Sequence, residues 1–174
     1  MEKELEGLRC KVSELKAENA KLRGFLQESR EWFYKIFHAS SNPMSISKLR
    51  GNIIVDVNEA FIRLSGFDRD ELIGRAVGEL PLLADRNHFG HLSEMVRKEG
   101  RIPSFDLEVL TKTGDSLIML FSADILLLDG EPCILTEGVD ITAIKKTETA
   151  LRRSEENYRH LVENSLQGLV IIQD

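Results

Sequence analysis

VNEAFIRLSGFDRDELIGR, residues 57–75, packs two helix starts and two helix stops into one short run. Asn58 is a good N-cap, set just before the apolar positions Ala60, Phe61 and Leu64. Gly66 stands where a left-handed C-terminal residue is wanted. Asp68, followed three residues later by Glu71, has the form of a capping box with Asp in place of Ser or Thr. Gly74 then closes a one-turn helix. A strand leads in, because Ile53, Val55 and Val57 alternate with Asp56 and Asn58 on the other parity. The order is therefore strand, short helix, tight turn, shorter helix.

Outward from this run, residues 44–47 and 53–58 form a hairpin across Leu49-Arg50-Gly51-Asn52. Residues 88–99 carry Phe89, Leu92 and Val96 on one helical stripe, with Gly100 as the stop. Three strands follow. Residues 104–111 alternate Phe105, Leu107 and Val109 against Asp106 and Glu108. Residues 116–128 are apolar on both parities, so both faces are expected to be covered. Residues 133–139 make the last strand, after the hairpin signal Asp129-Gly130. Two strands, then helices, then three antiparallel strands is an α+β order.

The first segment is a heptad pattern. Leu5, Val12, Asn19, Leu26 and Phe33 share one position; Leu8, Leu15, Leu22, Ser29 and Ile36 share the other. As a and d positions they describe a coiled coil over residues 1–36, joining two copies of the chain in parallel. A buried Asn19 pairs with its symmetry mate in a two-stranded parallel coil and selects register at a cost in stability. Glu4 would face Arg9 of the second copy and Glu18 would face Arg23, whereas Lys11 against Lys16 is unfavourable. The alternative is one amphipathic helix folded onto its own domain. The helix should stop at the breakers Ser40-Ser41-Asn42-Pro43.

Composition bounds the function. The chain has 174 residues, 30% of them charged, and a net charge of -6, which argues against nucleic acid as a partner. Cys10 and Cys133 lie far apart without a CxxC pair, as free thiols suited to a reducing, cytoplasmic setting. The N-terminus does not read as a signal peptide, and no apolar run approaches the roughly 18 residues of a membrane span.

The capped run, its strand and the element order resemble the PAS sensory domain family, over about residues 29–142. The resemblance implies a five-stranded antiparallel sheet with short helices on one face. It would be flanked by the N-terminal coiled-coil helix and a C-terminal signalling helix, with the domain at 30–142 and the linker helix at 143–161. Asp140-Ile141-Thr142, at the end of the last strand, reads as an N-cap and matches the triad that couples many bacterial PAS domains to such a helix. A repeat supports modules in series: Phe33, Ile36, Phe37, Ser40 and Met44 align with Tyr158, Leu161, Val162, Ser165 and Leu169. Residues 154–174 are accordingly expected to begin a second PAS domain, with its first strand near 169–172.

The resemblance also implies a small-molecule pocket on the sheet. Strand parity assigns it Phe105, Leu107, Val109, Leu117, Met119 and Phe121. The ligand and any cofactor are unspecified. Flavin photochemistry of the light-oxygen-voltage type needs a cysteine after the Gly-Arg that follows the small helices, but Gly74-Arg75 is followed by Ala76. A haem would need an imidazole facing the cavity, for which His88 and His91 are the candidates. No metal-ligand set, phosphoacceptor histidine, phosphate-binding loop or other catalytic motif is present, so a non-enzymatic regulatory module is expected. Its parent would be a bacterial sensor histidine kinase or diguanylate cyclase with an output domain beyond residue 174. The alternatives are a ligand-free dimerisation spacer and a haem-based gas or redox sensor.

Overall fold

The structure is a computed structural model and describes residues 2–170. The capped run folds as its residues dictate. The Asn58 carboxamide oxygen accepts from Phe61 N at 2.9 Å and starts α2 (Glu59–Ser65). The same oxygen accepts from Met44 N at 3.0 Å, and the amide nitrogen donates to the Asn42 carbonyl at 2.8 Å. One fully buried side chain thus ties a helix start to a strand start. Gly66 ends α2 in the left-handed region at φ 74°, donating to the Ile62 carbonyl. In α3 (Arg69–Leu72) the Glu71 carboxylate accepts from Asp68 N at 2.9 Å, as the capping-box spacing requires.

Five strands form one antiparallel sheet: β1 (Met44–Lys48), β2 (Ile54–Val57), β3 (Arg101–Leu110), β4 (Ser116–Leu128) and β5 (Glu131–Asp140), in the order β2-β1-β5-β4-β3. Helix α4 (Arg86–Glu99) lies between β2 and β3 in the chain and buries Leu92, Ser93 and Val96. This is the expected α+β architecture.

Two strand expectations are corrected. In β2 the pairing with β1 shifts register, so that Ser45 faces Val57 but Ser47 faces Ile54. The irregularity inserts one residue, and the buried positions become Ile54 and Val57 rather than a simple Ile53/Val55/Val57 alternation. In β4 the two faces differ. Met119 and Ala123 are buried on the helix-covered face, while Ile118, Leu120 and Leu126 on the other are half-buried and Asp124 is exposed.

Two clusters fill the helix-covered face. One joins Ile54, Val57, Phe67, Leu72, Leu80 and Leu82. The other joins Leu83, Leu92, Val96, Ile102, Leu107, Ala123 and Ile134.

The N-terminal unit, residues 1–41, is a single helix, α1 (Glu2–Ala39), about 57 Å long. It ends at the expected breakers. Val12, Leu15, Leu22 and Leu26 are each roughly half exposed, and Asn19 is exposed with them. The side chains of Leu5 and Leu8 lie outside the described residues. The C-terminal helix α5 (Thr142–Val170) is continuous past Ser165. The strand expected near 169–172 falls in part outside the described residues. Among the described residues no helix is long and apolar enough to cross a membrane.

Candidate functional site

A cavity of about 120 Å³ lies between the helix-covered face of the sheet and the helices α2 and α4. Alternation along β3 and β4 sends every second side chain to this face. The cross-strand pairs Phe105–Phe121, Leu107–Met119 and Val109–Leu117 then stand side by side. All six residues line the cavity, where strand parity put them. The Phe105 and Phe121 rings stack with centroids 5.7 Å apart. The roof comes from α2 through Phe61 and Leu64, and from α4 through Phe89, Leu92 and Val96.

Two further positions shape the cavity and were not singled out from the sequence. Gly138 on β5 pairs with Phe121. A Cβ at Gly138 would sit 2.6 Å from Phe121 Cε1 and 3.2 Å from Met119 Cε, so only glycine lets the ring lie against the β5 backbone. A glycine inside a strand is the signal that could have marked it. The second position is Asn52, in the β1–β2 turn, with φ at +52°. Its side-chain amide donates to Ser93 Oγ on α4 at 2.9 Å, and both residues line the cavity.

The Asp140-Ile141-Thr142 segment forms a built junction. Ile141 N donates to the Ile118 carbonyl at 2.9 Å, and the Thr142 hydroxyl oxygen accepts from Ile118 N at 2.9 Å. Asp140 is the last residue of β5, and its carboxylate accepts from Thr142 N at 2.9 Å. It therefore acts one residue before the cap position, since α5 begins at Thr142. In the next turn Lys145 Nζ lies 2.9 Å from Asp106 Oδ2 on β3. That carboxylate holds the Lys145 ammonium above its ordinary pKa. Ile118 is flanked in sequence by Leu117 and Met119, both on the cavity wall.

The remaining titratable groups are structural. Lys112 donates to Glu71 at 2.6 Å and, together with the Asp68 backbone, holds that carboxyl below its usual range. The His88 and Asn87 amides do the same for Asp85, the N-cap of α4. Burial pushes the Cys133 thiol up, which suits an inert core cysteine.

His88 and His91 are exposed on α4, and neither lines the cavity. Phe89, Leu92 and Ser93 occupy the inward stripe instead. Ligand pockets for drug-sized molecules run to roughly 300–1,000 Å³. A cavity of about 120 Å³ with no imidazole on its wall does not fit a haem. Among the described residues no cluster of His, Cys, Asp and Glu could hold a metal ion.

A family model described as PAS domain matches residues 41–143. A comparison with curated proteins found no match. Among solved structures, the chain is similar to a PAS domain of an HTR-like protein from Haloarcula marismortui. The identity is 21% and the TM-score 0.58, over 70% of this chain and 98% of that one. It is also similar to a domain of a sensory box sensor histidine kinase/response regulator from Geobacter sulfurreducens, at 27% identity and TM-score 0.54, over 66% of this chain and 96% of that one. A PAS domain from a two-component sensor histidine kinase matches at 12% identity and TM-score 0.56, over 66% and 97%.

Proposed function

The chain belongs to the PAS domain family, and from that premise we propose that it is a sensory module in which the state of the cavity is relayed to α5. The module is not itself catalytic. A small molecule entering the cavity displaces side chains on β3 and β4. The backbone of Ile118, between two cavity-wall residues, bonds to both Ile141 and Thr142, so a shift of β4 is felt at the first turn of α5. The Lys145–Asp106 pair adds a second link to β3. Such a relay requires two packings of similar energy that the ligand distinguishes. The observation that carries this proposal is the paired Ile118–Thr142 and Ile118–Ile141 hydrogen bonding.

The output is a change in how two copies of the chain associate. Ile144, Leu151, Tyr158 and Leu161 on α5 are each more than half exposed, and so are Leu15, Leu22, Leu26 and Ile36 on α1. A parallel homodimer through the α1 heptads would bury the latter, with Asn19 setting the register. The similarity to sensor kinase domains suggests an output domain C-terminal to α5 in a two-component signalling protein. A ligand-free dimerisation spacer is the second reading, favoured by the small size of the cavity.

Two measurements test the proposal. Sedimentation at micromolar concentration should give a dimer that deletion of residues 1–28 weakens; a monomeric full chain would refute the coil. For the relay, cross-linking through Leu151→Cys is followed with Cys10 and Cys133 replaced. Gly138→Ala, which drives Phe121 toward the cavity, should change the cross-linking rate, and Thr142→Val should abolish that response. A rate indifferent to Gly138→Ala would leave only the spacer.

A further inference from the structure

The polar residues on the cavity wall fall into two groups. In the first, each side chain is already engaged. The Asn52 amide bonds to Ser93 Oγ at 2.9 Å, Ser65 Oγ accepts from Phe67 N at 3.4 Å, and Thr111 Oγ1 accepts from Asp115 N at 3.1 Å. The second group is Ser45 and Ser47 on β1 with Thr136 on β5. Among the described residues their hydroxyls have no hydrogen-bond partner. Ser47 is only 6% exposed, yet its hydroxyl is not closed to a molecule the size of water. Ser45 and Thr136 stand directly opposite each other across the two strands. Directly opposed Cβ atoms lie about 5 Å apart, so one oxygen atom can come within hydrogen-bond reach of both hydroxyls. The β1–β5 side thus offers a row of uncommitted hydroxyls to a cavity otherwise walled largely by aliphatic and aromatic side chains. Hydroxyls left without a partner in such surroundings are costly.

From this we infer that the cavity takes a small uncharged molecule with an apolar body and one acceptor oxygen, of the ketone, aldehyde or alcohol class. The oxygen accepts from the hydroxyls of Ser45, Ser47 and Thr136, and the body lies against Phe105, Met119 and Phe121. The inference rests on the proposed reading of the cavity as a ligand site and adds the chemistry of the ligand. Size follows from volume. An apolar cavity near 150 Å³ accommodates benzene, so about 120 Å³ suits roughly five or six non-hydrogen atoms. Neutrality follows from the wall, since no charged side chain is among the described residues that line it and an ionised group would lack a counter-ion.

Cyclopentanone and methylenecyclopentane separate the two parts of the idea. They share one ring shape and differ by an oxygen in place of a methylene group. Binding to the full chain is followed at the methyl resonance of Met119, a wall residue. The unaltered chain is compared with one carrying Ser45→Ala, Ser47→Ala and Thr136→Val, which removes the three hydroxyls at little change of volume. The ketone should weaken by about fivefold or more, while the hydrocarbon keeps its affinity within about twofold or binds more tightly. If the triple variant does not fold, Ser47→Ala alone should weaken the ketone by about twofold with the hydrocarbon unchanged. A ketone affinity that falls no more than the hydrocarbon's would overturn the assigned hydroxyls while leaving the cavity a ligand site. So would an unaltered chain that binds the hydrocarbon alone. Binding of neither ring by a chain with normal far-ultraviolet dichroism would overturn the ligand-site reading itself.

Discussion

The helix-covered face of the sheet is filled in two different ways. At the β2 end, Val57, Phe67, Leu72 and Leu80 close on one another away from the cavity, and only the Ile54, Leu82 and Phe61 side of the cluster touches it. Toward β3 and β4, Leu92, Val96, Leu107 and Ala123 are buried, but Phe105, Val109 and Phe121 stay half-buried beside a cavity of about 120 Å³. The first cluster is drawn almost entirely from residues 54–82, within a segment that caps its own helices. The second gathers residues from 83 to 134, brought together by sheet pairing and by the packing of α4 on the sheet. A locally specified cluster can close tightly. One assembled across four elements can keep a void, and a void forfeits contacts that would otherwise add stability.

The sharpest way to break this contrast is to cut into each end. Leu72→Ala removes a fully buried side chain from the closed cluster and should cost about 3–5 kcal/mol in urea unfolding. Asn58→Ala deletes the α2 cap together with the bonds to Met44 and Asn42, for about 2 kcal/mol by the same measurement. Ala123→Val, which adds methyl groups beside the cavity, should cost less than about 1 kcal/mol or stabilise the chain. A loss for Ala123→Val as large as that for Leu72→Ala would mean that the two ends are equally packed.

The smallest effect concerns pH. Asp85, at the start of the cavity's roof helix, has its pKa lowered by the His88 and Asn87 amides. Its contribution is therefore complete above the ordinary aspartate pKa of about 4 and is lost as pH falls through the lower folded value. The melting-temperature difference between the unaltered chain and Asp85→Ala should be full at neutral pH and shrink in acid. A difference that grows in acid would contradict the cap.

Much of the fold was legible because its signals are local. Asn58, Gly66 and Glu71 each act within a few residues, and the strands at 104–111, 116–128 and 133–139 announce themselves by alternation or apolar runs. The six β3 and β4 wall residues were legible for the same reason, since parity alone decides the face. Gly138, Asn52 and Ser93 were not, because their roles depend on what lies opposite. Gly138 matters through Phe121, seventeen residues earlier, and Asn52 through Ser93, forty-one residues later. The β2 register shift was likewise hidden: a bulge is a relation between two strands.

By itself, then, the amino-acid sequence determined the caps, the turns, the strand faces and the family, all consequences of backbone preference and side-chain period. Only the tertiary structure decided where the packing stops short, which glycine makes room for a ring, which amide reaches across to α4, and that α5 is bonded to the strand forming the cavity wall. Those are distances between residues far apart in the chain, and no local preference encodes them.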